Sequence, residues 1–267
     1  MTKKVLLLDA DSLIYICAVK ETFQDCKDEF DNRLNTIIES TEATSYIGFI
    51  TYPKCFRYSV SALYKANRKS SSTPKYLKAL REYAVAEYGF IGYEGLEADD
   101  LVGIGKTFYD NLNVANVIGA IDKDVLNQIP GKHFNYSFNK DLDRMNGYVE
   151  TIEEQALEFL FLQTIMGDSG DNIKGLPGYG PKKALDYLNL NSNKDFITYY
   201  TECLKLYCLR LGNKLGTVAL SESYRLVRIL RTQEEAMQEL DITTGNTSIF
   251  LLFPGLEIPV SKKQVEW

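Results

Sequence analysis

The chain has 267 residues, 45% of them hydrophobic and 25% charged, with a formal net charge of −6. That length holds one large domain, or a domain with an appended module. The composition is that of a soluble globular protein with a sizeable core, and no apolar run of about 18 residues is present to span a membrane.

In chain order, MTKKVLLLDADSL begins like an export signal but meets Asp9 and Asp11 after four apolar residues. It is expected to be a buried strand, then a turn over residues 9–12, then a helix capped by Asp11 or Ser12. Residues 25–40 read as helix and 45–51 (SYIGFIT) as a second strand. From Lys54 to Arg81 comes a stretch with Lys54, Arg57, Lys65, Arg68, Lys69, Lys75, Lys78 and Arg81 and no acid at all. We read it as a polyanion-facing surface rather than a solvated helix face, despite the acidic total, because separated charge steers a polyanion to one side. Within it Thr73 is expected to cap, and Pro74 to open, a helix running to about residue 88. A short strand at 89–95, a helix from Ala98, a buried strand at 116–121 and an edge strand at 133–139 follow. From Ile152 the pattern is helical almost to residue 240. Alternating strands and helices followed by an all-helical part predict an α/β fold with a mainly parallel sheet flanked by helices.

The five cysteines include no C-x-x-C pair, which speaks against a disulfide framework or a zinc ribbon. Reduced thiols in a cytoplasm are the simplest expectation. The single histidine, His133, leaves little room for a histidine-ligated metal or a Ser-His-Asp triad. Any metal is therefore expected to be held by oxygen, which favours Mg²⁺ or Mn²⁺.

In open α/β sheets the site lies at the carboxyl ends of the strands. There the sequence places Asp9, then Glu97, Asp99 and Asp100, then Asp122 and Asp124; Asp168 and Asp171 follow in GDSGDNIKG. Each alone can be read as a turn or helix-cap acid. Converging on one sheet edge, they would repel one another unless cations neutralised them. Two Mg²⁺ about 3.5–4 Å apart resolve the clash and suit phosphodiester hydrolysis. Directly after these acids, GLPGYGPKK has the form of a helix-hairpin-helix turn. Gly178 and Gly180 permit close approach of a phosphate, Pro181 suits a first helical position, and the N–H groups of Lys182 and Lys183 point at the anion. Such contacts grip a backbone without reading sequence. Lys65 and Arg68, three apart, are expected to share a helix face and to stabilise negative charge on a substrate phosphate, with Lys69 beside them. Tyr64 is read either as a platform for an exposed base or as a core tyrosine.

Taken in order, LLLDADSL, YKANRK, GLEADDLVG, AIDKDVLNQIPG and GDSGDNIKGLPGYGPKKAL resemble the flap endonuclease/5′→3′ exonuclease family, most closely the free-standing bacteriophage 5′ nucleases and the 5′-nuclease domain of bacterial DNA polymerase I. The resemblance covers roughly residues 3–190. It implies a PIN-like sheet, an arch at about 54–90 and a helix-3-turn-helix motif at about 164–190. The nuclease core would be residues 1–150 and the helical DNA-binding part 151–267, packed as one unit. It also implies that the eight acids hold two divalent ions, that Lys65 and Arg68 are the basic pair at the arch base, that Tyr64 stacks a nucleobase, and that the glycine turn binds K⁺ as well as phosphate. Ala66 stands where relatives usually carry glycine, and Asp11 where many have a neutral residue; Asp11 is read as a cap or a group behind the ligands. The implied activity is a structure-specific 5′ nuclease, exonuclease and flap endonuclease, acting as a monomer on branched, 5′-flapped, nicked or gapped DNA and on RNA–DNA primers, in the cytoplasm (the host's, if phage-encoded). It would act alone or beside a separate polymerase and other replication proteins. The rivals are an inactive junction-binding module, disfavoured by the full set of acids, and a PIN-type ribonuclease, disfavoured by the glycine turn with its lysines. Residues 240–267, with IFLLFPGLEIPV, carry no reading beyond packing on the sheet or meeting a partner.

Overall fold

The computed structural model describes residues 3–70, 73–139, 144–188, 194–240 and 258–259. The first strand, β1 (Lys4–Asp9), is followed by α1 (Ala10–Cys17), α2 (Phe23–Thr41) and β2 (Ser45–Phe49). Next come α3 (Arg57–Val60), a 3-10 turn (Ala66–Ser70), α4 (Leu77–Tyr88) and α5 (Ala98–Asn111). Strand β3 (Ala115–Ala120), α6 (Lys123–Gln128), β4 (Gly131–Asn139) and β5 (Arg144–Thr151) complete the α/β part. Then α7 (Glu153–Met166), the short β6 (Gly167–Asp168) and β7 (Ile173–Lys174), α8 (Pro181–Leu188), α9 (Phe196–Leu211), α10 (Asn213–Val227) and α11 (Gln233–Glu239) make a helical part, and β8 (Ile258–Pro259) returns to the sheet.

The sheet order is β5-β4-β3-β1-β2-β8. The four central strands β4, β3, β1 and β2 run parallel, while β5 and β8 pair antiparallel at the edges. Strand alternation divides the core. Leu6 and Leu8 of β1 face a cluster with α1, α2 and α4, and Val5 and Leu7 face one with α5 and the chain around Leu230. All four side chains are fully buried, each contributing roughly 1.5–3 kcal/mol of transfer free energy. Burial on both faces explains why β1 reads as an unbroken apolar run. A third cluster, including Phe161, Tyr199, Tyr207 and Leu220, holds α7 to α10 together.

Several local expectations need correction. Residues 89–95 form only isolated bridges, Phe49 with Ile91 and Cys55 with Gly95. Helix α4 starts at Leu77, after Tyr76, not at Pro74. The stretch at 133–139 is an interior strand, because β5 pairs outside it. The cap of α1 is Asp9, whose carboxylate accepts the Asp11 N–H at 3.3 Å. The stretch expected as an arch consists of α3, the 3-10 turn and α4. Of the tail without a reading, Ile258 and Pro259 pair with β2; the rest lies outside the described residues.

Candidate active site

Parallel strands β1 and β3 end side by side, and each delivers an acid as it leaves the sheet. Asp9 closes β1 and Asp122 caps α6 directly after β3, accepting the Asp124 N–H at 2.7 Å. Asp99 comes from the first turn of α5, Asp168 from β6 directly after α7, and Asp171 from the β6–β7 loop. A cleft of about 440 Å³ is lined by Asp9, Asp11, Glu97, Asp99, Asp122, Asp124, Asp168 and Asp171, together with Lys65, Arg68 and Lys123. Seven of the eight acids singled out from the sequence thus meet around one opening.

Asp100 does not. It is fully buried on the other side of α5, where its two oxygens accept from Arg57 at 2.7 and 2.8 Å, from Leu230 N–H at 3.0 Å and from Glu97 N–H at 3.1 Å. Successive residues of a helix point about 100° apart, so Asp99 and Asp100 cannot both face the cleft.

The acids fall into two electrostatic groups. Burial and the neighbouring Asp11 and Asp122 raise the Asp9 pKa well above the carboxylate range. Burial and adjacent Asp100 do the same for Asp99. Burial and Asp122 push Asp124 up to about 6. For Glu97, burial is outweighed by Arg57 and Lys65, which hold it well below its usual range. For Asp168, burial is outweighed by Lys123 and the Gly170 N–H, and its pKa falls. The second group is neutralised by the chain's own cations. Lys65 pairs with Glu97 and lies 3.7 Å from Asp171, Arg68 pairs with Asp171, and Lys123 is 2.8 Å from Asp168.

Among the described residues, no three His, Cys, Asp or Glu side chains are gathered into a ready metal cage. The donor set nevertheless fits a hard divalent cation. Every candidate ligand is a carboxylate, and Asp9, Asp99 and Asp124 are short of compensating positive charge. The side chains able to hold such ions are Asp9, Glu97, Asp99, Asp122, Asp124, Asp168 and Asp171.

The basic residues reach this cleft by a different route from the one expected. Lys65 is not helical. It has φ +53°, a left-handed conformation costly for a side-chain-bearing residue, and its N–H donates to Asp171 O at 2.8 Å. The strain is held by stitching between the two segments. Asn172 donates to Leu63 O at 2.7 Å, and Asn67 to Ser169 O at 2.9 Å. Arg68 is more than half exposed and faces both the acidic cleft and a neighbouring one. Lys69 lies in the 3-10 turn, and its side chain is outside the described residues.

Tyr64 is 3% exposed, and its hydroxyl donates to Glu97 at 2.7 Å and Asp171 at 3.2 Å. It holds the acids and offers no free face for stacking. Three exposed tyrosines, Tyr15, Tyr52 and Tyr58, line the neighbouring cleft of about 540 Å³ with Arg68 and Arg81. Neither Lys123 nor Arg81 was singled out for the site, although Lys123 sits between Asp122 and Asp124. Asp11, read as a cap or a group behind the ligands, does not cap α1; it lines the cleft, accepts Thr51 N–H at 3.1 Å and pairs with Arg81 of α4.

The glycine turn opens α8 with Pro181 as its first residue, and Lys182 and Lys183 are exposed. Gly178 has φ +81° and, like Gly180, has open space where a Cβ would lie. Gly175 serves packing instead. A Cβ there would come within 2.1 Å of the Met166 backbone, where Leu176 N–H reaches Ile165 O at 2.7 Å.

No protein-family model matches the sequence. The chain is 28% identical to a 5′-3′ exonuclease of Buchnera aphidicola subsp. Schizaphis graminum, over 92% of this chain and 91% of that one. It is 29% identical to a 5′-3′ exonuclease of Mycoplasma pneumoniae, over 70% and 72%. The fold matches the bacteriophage T5 D15 flap endonuclease, crystallised in a pseudo-enzyme-product complex with DNA and metal ions, with a TM-score of 0.63 over 89% of this chain and 93% of that one, at 16% identity. The shared architecture is a mainly parallel α/β sheet flanked by helices, here with acids at its strand ends. Over most of its length the chain is thus similar in sequence to 5′-3′ exonucleases, and in fold to a flap endonuclease.

Proposed function

We propose that the chain is a divalent-metal-dependent, structure-specific 5′ nuclease that hydrolyses phosphodiesters in 5′-flapped, branched, nicked or gapped DNA, and in RNA–DNA primers. The observation that carries this reading is the convergence of seven carboxylates with Lys65, Arg68 and Lys123 at the carboxyl ends of β1 and β3. An acid cluster alone would repel DNA. Two Mg²⁺ (or Mn²⁺) bound there supply Lewis acidity toward the phosphodiester and the attacking water.

The chain's own groups do the rest. Tyr64 and Arg57 fix Glu97, and Gln163 fixes Asp124. Each cation in the cleft is partnered to an acid, so a substrate phosphate and the acids compete for it. Arg68 is well placed to meet the phosphate first, and Lys65, largely buried, to meet the charge developing at the scissile oxygen. The turn at Gly178–Gly180 with Lys182 and Lys183 grips duplex backbone through amides and lysines, and its carbonyl oxygens would be the groups to hold a K⁺ ion. The wall formed by α4 and Tyr52–Arg68 guides the single strand, with the exposed tyrosines in the stacking role first given to Tyr64.

The test is product mapping from a 5′-labelled flap duplex with Mg²⁺, with EDTA and a hairpin RNA as controls. The expected result is cleavage near the junction, releasing short 5′ fragments, lost in EDTA and absent on RNA. Tight junction binding without cleavage in Mg²⁺ or Mn²⁺ would make the protein a binding module.

A further inference from the structure

Two buried polar paths run from one short segment into the acidic cleft. The segment is Leu226–Leu230, where α10 ends. On one path, Arg57 donates from Nε to Leu226 O at 3.1 Å and from a terminal nitrogen to Arg228 O at 2.6 Å. The same guanidinium holds Asp100 at 2.7 and 2.8 Å and Glu97 at 3.1 Å. All five of its donors are used, and Asp100 returns to the segment through the Leu230 N–H at 3.0 Å.

On the other path, Gln128 donates to Val227 O at 2.9 Å and accepts the Ile229 N–H at 3.0 Å. Its amide also donates to Gln163 at 2.5 Å, and Gln163 donates to Asp124 at 2.7 Å. Arg57, Asp100, Gln128 and Gln163 are all at most 4% exposed. Helix α5 presses on the same segment: a Cβ on Gly103 would lie 2.4 Å from Leu230 O. The segment is therefore clamped, and the two paths leave it in different directions.

We infer that Leu226–Leu230 is a positioning frame. It sets Glu97 through Arg57 and Asp124 through Gln128 and Gln163, and so fixes two of the cleft's carboxylates against the end of α10. Asp100 is the anchor of that frame and not an ion ligand. The consequence is a link between the helical part, which presents the glycine turn, and the geometry of the acids. Outer partners that orient ligand carboxylates typically change metal affinity about 10–100-fold. The inference rests on reading the cleft as a divalent-metal site.

The decisive position is Gln128, which lines neither the acidic cleft nor the small void behind it and reaches Asp124 only through Gln163. Mn²⁺ binding to the full chain would be measured by electron paramagnetic resonance titration for wild type, Gln128→Leu, Gln163→Leu and the double variant, with a melting curve for each. We expect both single variants to bind Mn²⁺ about tenfold more weakly or worse, and the double variant to be no weaker than Gln163→Leu, since the two residues form one chain. Wild-type-like Mn²⁺ affinity in a folded Gln128→Leu variant overturns the frame. If that variant fails to melt cooperatively, Arg57→Lys, which keeps the charge but loses the fork, carries the test, and unchanged affinity there overturns it equally. A wild-type chain that binds no Mn²⁺ overturns instead the metal reading beneath the inference.

Discussion

In the proposed reading the acidic cleft and the glycine turn both serve phosphate, and they are built by opposite means. The cleft is convergent, with Asp9 and Glu97 buried at its floor and Asp122 exposed at its rim. Its acids come from β1, α5, α6 and the segment after α7, so the cleft exists only where these distant segments meet. The turn is local and exposed. Gly178, Gly180, Pro181, Lys182 and Lys183 act through backbone amides and charges that one short stretch supplies by itself. A convergent site braced by buried neighbours stabilises one geometry, as chemistry requires. An exposed turn holds a repeating backbone without preferring any sequence, as sliding or junction docking requires. The difference predicts that the two regions separate cleanly under mutation.

The largest effect is expected for Asp122→Ala. Single-turnover cleavage of a flap should fall by at least about 100-fold, while junction affinity in EDTA stays within about twofold. A parallel loss of binding would erase the distinction between the two regions.

Tyr64→Phe comes next. A base-stacking tyrosine would be replaced by phenylalanine without loss. A tyrosine that donates to Glu97 and Asp171 cannot be. Cleavage should drop about tenfold with DNA affinity unchanged, and an unaltered rate would return Tyr64 to the stacking role.

A smaller effect concerns pH. Asp124 is pushed up to about 6 by burial and Asp122. Below that pH it holds a proton that an incoming cation must displace, so apparent Mg²⁺ affinity should weaken as pH falls. Between pH 7.5 and 5.5 the loss should be at least about fourfold, with proton release detectable by calorimetry in two buffers. A pH-independent affinity would remove Asp124 from the ligand set.

The smallest effect is on the turn. Exchanging Lys182 and Lys183 for alanine together should flatten the salt dependence of duplex binding by about 1.8 in slope and leave cleavage at saturating DNA intact. An unchanged slope would end the grip assigned to the turn.

Much of the molecule was legible because its signals are local. The buried runs at β1 and β3, the helix start at Ala98, and the order of acids after strands all follow from patterns a few residues long. What was not legible depends on distant chain. Nothing around Tyr64 announces that the β6–β7 loop will close over it. The alternation at 133–139 shows a strand but not that β5 will cover its outer edge. Asp100 is the instructive intermediate. It stands at i, i+3 and i+4 with Gly103 and Ile104, both buried, so helical periodicity carried the signal that it turns inward while Asp99 turns out. Its partner, Arg57, lies 43 residues earlier and could not be found that way.

The central claim is that the cleft between the ends of β1 and β3 is a site for paired divalent cations. Anomalous diffraction from crystals soaked in Mn²⁺ tests it most directly. The account predicts two peaks in that cleft, bounded by Asp9, Asp99, Asp122, Asp124 and Asp168, with Lys65, Arg68 or Lys123 displaced from at least one acid. Clear density for the cleft's side chains with no manganese peak among them would contradict it.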